Sequence, residues 1–193
     1  MIDPSQIDPT LPVIKALLVM DNEGRRIAVN YYTPQLSAVP DQAEFEKSVF
    51  AKTQRSSARG ESDIVMLDDL SVVYRFVGDL AFYVAGSAEE NEVLLSEVLD
   101  AYVSAVAELL RGSLDKKSAL ENLDLILLAA DELIDGGLIL ETDGDAIFQR
   151  VSLHGSDESA AQAVEAAIAN PGLQSLSHAF GSVREQIARN LLR

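Results

Sequence analysis

Cysteine is absent from the 193 residues, histidine occurs twice, and only 15 lysines and arginines face 31 acidic residues. Without cysteine the chain has no disulfide, no thiolate-ligated zinc and no Cys nucleophile. That composition suits a reducing compartment. The formal net charge of -16 makes nucleic-acid backbones and anionic lipid poor partners, because both repel it. A basic protein surface, or solubility alone, accounts for the charge better. No apolar run approaches the roughly 18 residues that crossing a bilayer requires. The opening MIDPSQIDPT has neither the basic nor the apolar region of a signal peptide. The expected location is the cytosol. With 48% hydrophobic residues the chain can bury a core, so a folded domain is expected.

Strand signals come first. VIKALLVM, residues 13 to 20, is almost continuously apolar, as in a strand covered on both faces. DNEG then supplies a turn, and RIAVNYY alternates Ile27, Val29 and Tyr31 against Ala28, Asn30 and Tyr32. The opening therefore predicts a β-hairpin. Three further strands are expected in DIVML, SVVYRFV and LAFYVAG, with Gly78 and Asp79 forming a two-residue hairpin turn. Such short connections imply antiparallel neighbours.

Helical spacing appears in three places. Residues 40 to 55 carry a narrow stripe of Phe45, Val49 and Phe50 behind a capping box of Asp41 and Glu44. Residues 87 to 111 place Leu95, Val98, Leu99, Tyr102, Val106, Leu109 and Leu110 on one face. A cap of Ser87 with Glu90 opens this helix and Gly112 stops it. A third helix over about 115 to 134 repeats Leu120, Leu123, Leu127, Ala130 and Ile134. Leu125, Ile126 and Leu128 make its middle apolar nearly all round. The order β-β-α-β-β-β-α-α predicts an α+β fold with five antiparallel strands between one helix and two. Thr142 or Asp143 is expected to cap a short helix carrying Ile147 and Val151. From 155 to 177 the chain is rich in Ala and Ser, with a weak helix expected over 159 to 169. FGSVREQIARNLLR recovers an amphipathic stripe of Phe180, Val183, Ile187 and Leu191 that needs a surface to dock on.

Catalytic chemistry finds little footing. LAADELIDGGLILETD gathers Asp131, Glu132, Asp135, Glu141 and Asp143 around Gly136-Gly137, with Asp145 just beyond. Asp131 and Asp135 share a helical face, a spacing that can hold a hard cation. A solvated face beside a glycine terminator explains the same residues. DGDAIF lacks the ligand repeat of an EF-hand. His154 and His178 have no metal-binding spacing, and no nucleotide or nucleophile-elbow motif occurs. The strand aromatics Tyr31, Tyr32, Tyr74, Phe76, Phe82 and Tyr83 lack the basic surroundings of a stacking platform. No catalytic, cofactor or metal residue is assigned. What remains is a surface that binds.

Several longer blocks point to a family. FEKSVFAKT, LSVVYRFVGDLAFYVAGSAEENE, LAADELIDGGLILETD and the terminal REQIARNLLR resemble the zeta-subunit family of coatomer. These are the small chains of the COPI vesicle coat, akin to the sigma subunits of clathrin adaptors. The resemblance spans about residues 12 to 154. It implies a longin-like fold for 12–154; the composition and spacing of the residues add a tail at 1–11, a mobile linker at 155–177 and a C-terminal helix at 178–193, and the 156–177 stretch departs from the family pattern. The resemblance implies a non-catalytic scaffold paired with the gamma-subunit solenoid and joined to a beta–delta pair. Recruitment to Golgi membranes by a GTP-loaded Arf protein would make membrane contact indirect, and the role would lie in Golgi-to-ER and intra-Golgi transport. Surplus apolar surface at Leu125, Leu128, Ile139 and Leu140 is the expected place for the partner. Two other readings remain beside it. One is a longin module of a SNARE or GTPase-regulatory complex, although the sequence shows no heptad coiled coil after the domain. The other is a carboxylate-dependent metal hydrolase on residues 131 to 145.

Overall fold

Near-continuous apolar runs in the central strands build one sheet with two buried faces. The computed structural model describes residues 12–54 and 60–153. The expected tail at 1–11, the linker with its 159–169 helix, the helix at 178–193, and both histidines lie outside the described residues. The strands are β1 (Ile14–Asp21), β2 (Arg26–Tyr31), β3 (Asp63–Leu67), β4 (Leu70–Val77) and β5 (Leu80–Ser87). Their spatial order is β2-β1-β5-β4-β3, with every neighbouring pair antiparallel.

On one face Ala16, Leu18, Met20, Tyr74 and Tyr83 pack under Phe45 and Val49 of α1 (Val39–Thr53). On the other, Leu17, Val19, Phe82 and Val84 pack under α2 (Glu92–Leu109), α3 (Lys116–Glu121) and α4 (Leu123–Leu133). This is the three-layer α+β arrangement the element order predicts. Every residue expected on the inner face of α2 is buried. Two irregularities in the β1 pairings break strict alternation. One lies between Ile14 and Ala16, and Ile14 joins the α2 side although Ala16 faces α1. The other leaves Ile27 unpaired between Arg26 and Ala28. Ile27 therefore packs with Ala28 rather than with Val29 and Tyr31, as bulges re-aim side chains.

Helix starts differ from the sequence expectation. α1 begins at Val39, with Pro40 in its first turn and no side-chain cap at Ala38. Asp41 lies inside that turn, so the capping box is not formed. Ser87 is claimed by β5, where it pairs with Leu70. The cap of α2 is Asn91, whose side-chain Oδ1 accepts from the Val93 N–H at 2.9 Å. Asn91→Ala is expected to cost about 1 kcal/mol in urea unfolding, and Ser87→Ala distinctly less. Equal losses would contradict this assignment. The predicted 115–134 helix is broken at Asn122, where φ is −124° and ψ 35°. The Asn122 side-chain Nδ2 donates to the Ser118 carbonyl at 2.8 Å, closing the first segment.

Candidate interaction surface

The break at Asn122 decides which side of the third helical segment turns inward. Ala119, Ile126, Ala129, Ala130 and Leu133 are buried against the core. Tyr102 of α2, itself buried, donates its hydroxyl to the Ile126 carbonyl at 3.2 Å and ties α4 to α2. Burial pushes the Tyr102 phenol far above its ordinary range. The inner stripe predicted from Leu120, Leu123 and Leu127 is therefore rotated: Leu120 is 50% exposed and Leu127 37%. Leu125, Leu128 and Ile139 are half-buried and lean on the core, whereas Leu140 is 56% exposed. Periodicity counted Leu120 and Leu127 as core because it assumed one unbroken helix.

Gly136-Gly137 does not end the helix, contrary to expectation. α4 stops at Leu133 and Ile134 is already extended, with φ −141°. The glycines form the turn of a small hairpin, β6 (Ile134–Asp135) with β7 (Leu138–Ile139). Their φ values of 58° and 93° are those a type I′ turn demands at both positions. The Ile14 N–H donates to the Gly137 carbonyl at 2.8 Å, and Val13 bridges to Leu138. A side chain at 137 would meet the Ile14 carbonyl at 2.9 Å. The stretch is a joint between α4 and the start of β1.

Its acids do structural work. Glu141 accepts from the Thr142 and Asp143 N–H groups and pairs with Arg150 at 2.8 Å. The two backbone N–H groups, with Arg150, hold its carboxyl below the usual range against the opposing effect of burial. Arg150 also reaches Glu132 at 3.6 Å. Asp143 caps the helical residues 144–153, accepting from the Asp145 N–H at 3.0 Å and the Ala146 N–H at 3.4 Å. Ile147 and Val151 of this helix are buried. Burial raises the Tyr32 phenol to about 12; the Asn30 hydrogen bond opposes the rise, and nearby Asp131 and Asp135 add to it. Among the described residues no group of three or more histidines or acids is placed to hold a metal ion. Nor is any helix among them long and apolar enough to cross a membrane.

The family model for the clathrin adaptor complex small chain matches residues 13–158. Coatomer subunit zeta-3 of Oryza sativa subsp. japonica is 46% identical over 180 residues, covering 93% of this chain and 97% of that protein. The chain belongs to the coatomer zeta-subunit family. Coatomer subunit zeta-1 of Arabidopsis thaliana is 42% identical over 182 residues, 94% of this chain and 98% of that one. Coatomer subunit zeta-1 of Homo sapiens is 38% identical over 187 residues, 97% of each. A chain in a homology model of the full-length AP-3 complex in a stretched open conformation superposes with a TM-score of 0.61 at 19% identity. It covers 77% of this chain and 98% of its own length, a likeness of fold. A coatomer zeta-family chain is a small subunit of an adaptor-type coat. Its exposed leucines therefore sit in a molecule whose relatives are named as parts of a larger assembly.

Proposed function

We propose that the chain is a non-catalytic scaffold subunit of the COPI coat that pairs with the gamma-subunit solenoid. The single observation carrying this reading is identity of 38–46% to zeta subunits along nearly the whole chain. On this reading the gamma solenoid joins the beta–delta pair, and a GTP-loaded Arf recruits the assembly to the cytosolic face of Golgi membranes for Golgi-to-ER and intra-Golgi transport. No cofactor takes part. The partner covers Leu140 and the open sides of Leu125, Leu128 and Ile139, continuing over Leu120 and Leu127. Exposed aliphatics of this kind favour burial against a large helical neighbour. The carboxylates of Asp124, Asp131 and Asp135, all exposed, surround that surface and favour basic residues on the partner.

Co-expression with the gamma subunit tests the pairing. A stable complex is expected, with slowed amide exchange over residues 120 to 140 in the bound chain. Leu127→Asp with Leu140→Asp is expected to weaken the complex by about a hundredfold while leaving the isolated fold intact. Unchanged exchange in a complex that does form would move the interface elsewhere. No complex at all would remove the pairing.

A further inference from the structure

The sheet face under α1 lies opposite α2, α3 and α4, and it carries a feature the solenoid pairing does not use. Between the N-terminal half of α1 and the β3–β4 turn is a cleft of about 240 Å³. Leu36, Phe45, Leu67 and Leu70 give it an apolar floor. Asp41 and Glu44 reach its rim from α1, and Asp68 from the turn. All three are exposed. None of these carboxylates makes a hydrogen bond or ion pair with another described residue. Four other acids have a cation of their own: Asp21 has Lys116, Glu46 has Arg26, Asp100 has Arg75 and Glu141 has Arg150. Lys52, on the same helix, is engaged with the Met66 carbonyl. The rim carboxylates do not converge tightly enough to hold a metal ion. They surround a space wide enough for a larger cationic head.

We infer that this cleft receives a lysine or arginine side chain carried by a segment of a partner protein. The aliphatic stem lies along Leu36, Phe45, Leu67 and Leu70, and the charged head sits among Asp41, Glu44 and Asp68. Long basic side chains are built for such a site, since their methylenes cover apolar surface while the head stays in a polar rim. Charge complementarity selects the occupant: an acidic rim on a chain of net charge -16 attracts cations and repels phosphate-bearing partners. The cleft is on the opposite sheet face from the proposed solenoid surface, so both can be filled at once.

The test uses the full chain and three blocked nonapeptides that differ only in a central residue between two leucines. That residue is lysine, arginine or norleucine. At physiological ionic strength the basic peptides are expected to bind roughly tenfold more tightly than the norleucine peptide. Amide shifts should cluster at residues 36 to 48 and 67 to 70. The triple variant Asp41→Asn, Glu44→Gln, Asp68→Asn is expected to lose that advantage. The control Asp124→Asn, Asp131→Asn, Asp135→Asn, an equal change of charge on the other face, is expected to keep it. Asparagine tolerates the positive φ of residue 68, so the first variant should fold, as circular dichroism can check. Equal loss in both triples would reduce the effect to diffuse attraction and overturn the site. So would equal binding of the norleucine peptide, no binding of any peptide, or self-association of the chain through this cleft.

Discussion

Replacing Asp21 by alanine is expected to lower the unfolding free energy by about 3 kcal/mol, because it strips the buried acceptor from four hydrogen bonds, two of them charge-assisted. Asp21 ends β1 and its side chain is fully buried. One carboxylate oxygen accepts from the Glu23 and Arg25 N–H groups, both at 2.9 Å. The other accepts from the Arg25 guanidinium at 3.0 Å and from Lys116 at 2.7 Å. One side chain thus closes the β1–β2 turn and holds it to the start of α3. Burial pushes the Asp21 carboxyl up. Lys116, the two backbone N–H groups and Arg25 together pull it well below the usual carboxylate range. Lys116 and Arg25 can regain water in the variant, since their side chains are 40% and 61% exposed. The part-buried Glu23 and Arg25 N–H groups regain less.

The sign of the pH dependence follows from that lowered value. The unfolded chain protonates Asp21 near its ordinary pKa of about 3.9, the folded chain only at much lower pH. The stabilisation is therefore complete above that ordinary value and is lost as pH falls toward the folded one. Urea titrations of wild type and Asp21→Asn should differ by a constant amount between about pH 5 and 7, and the gap should narrow below about pH 4. A gap that widens in acid would mean the carboxylate is not held ionised. The Asp21→Ala and Lys116→Met cycle should show coupling above about 1 kcal/mol. Independent losses would place the stabilisation in the turn alone.

Nothing in the sequence marks Asp21 for this role. In DNEG it reads as an ordinary turn acid, and the second of its two cations, Lys116, arrives 95 positions later. Glu46 was equally hidden. The stripe of Phe45, Val49 and Phe50 leaves it on a flank of α1, yet it is 7% exposed, bound by the Tyr31 hydroxyl at 2.6 Å and by Arg26. Local patterns report what a residue prefers. They do not report which distant charge will meet it. The sheet was legible because pairing depends on alternation and on turn lengths that the sequence displays. It failed locally at Ile14 and Ile27, where irregular pairing moved side chains to the other face. Ser87 and Asn91 both carry cap chemistry, and the choice fell to Asn91 because Ser87 was needed to pair with Leu70.

The interaction surface was legible in outline only. An excess of leucine in α4 shows that one face must be left over. Which face depends on the rotation set at Asn122, and asparagine in a leucine-rich helical pattern gives too weak a breaking signal to fix that angle. Hence Leu125 and Leu128 lean inward and Leu120 and Leu127 outward. Gly136-Gly137 likewise signals a turn without saying of which kind. The extended Ile134 and the bond from Ile14 to Gly137 make it a hairpin rather than a helix end.

Gly78→Ala is expected to lose about 3–4 kcal/mol, well beyond an ordinary glycine turn substitution, through backbone strain and a displaced hydrogen bond. Gly78 has φ +61°, and no positive φ occurs at Asp79, the pattern of a II′ hairpin with glycine first. The loop between α2 and α3 lies directly against this turn. The Asp79 N–H donates to the Leu114 carbonyl at 3.0 Å, and a Cβ on residue 78 would sit 2.1 Å from that same oxygen. The atom in the way is backbone, so no rotamer change relieves the collision. The loop must shift, and the Asp79 bond goes with it. Gly112 supplies the control. It has φ +80° with nothing within 4 Å of an added Cβ, so Gly112→Ala carries only the conformational penalty of about 1 kcal/mol. Urea midpoints should therefore rank wild type, Gly112→Ala and Gly78→Ala in that order, with the larger step at residue 78. Loss at 78 no greater than at 112 would mean that the α2–α3 loop yields freely. Leu114 would then not be what fixes the β4–β5 hairpin against the helices.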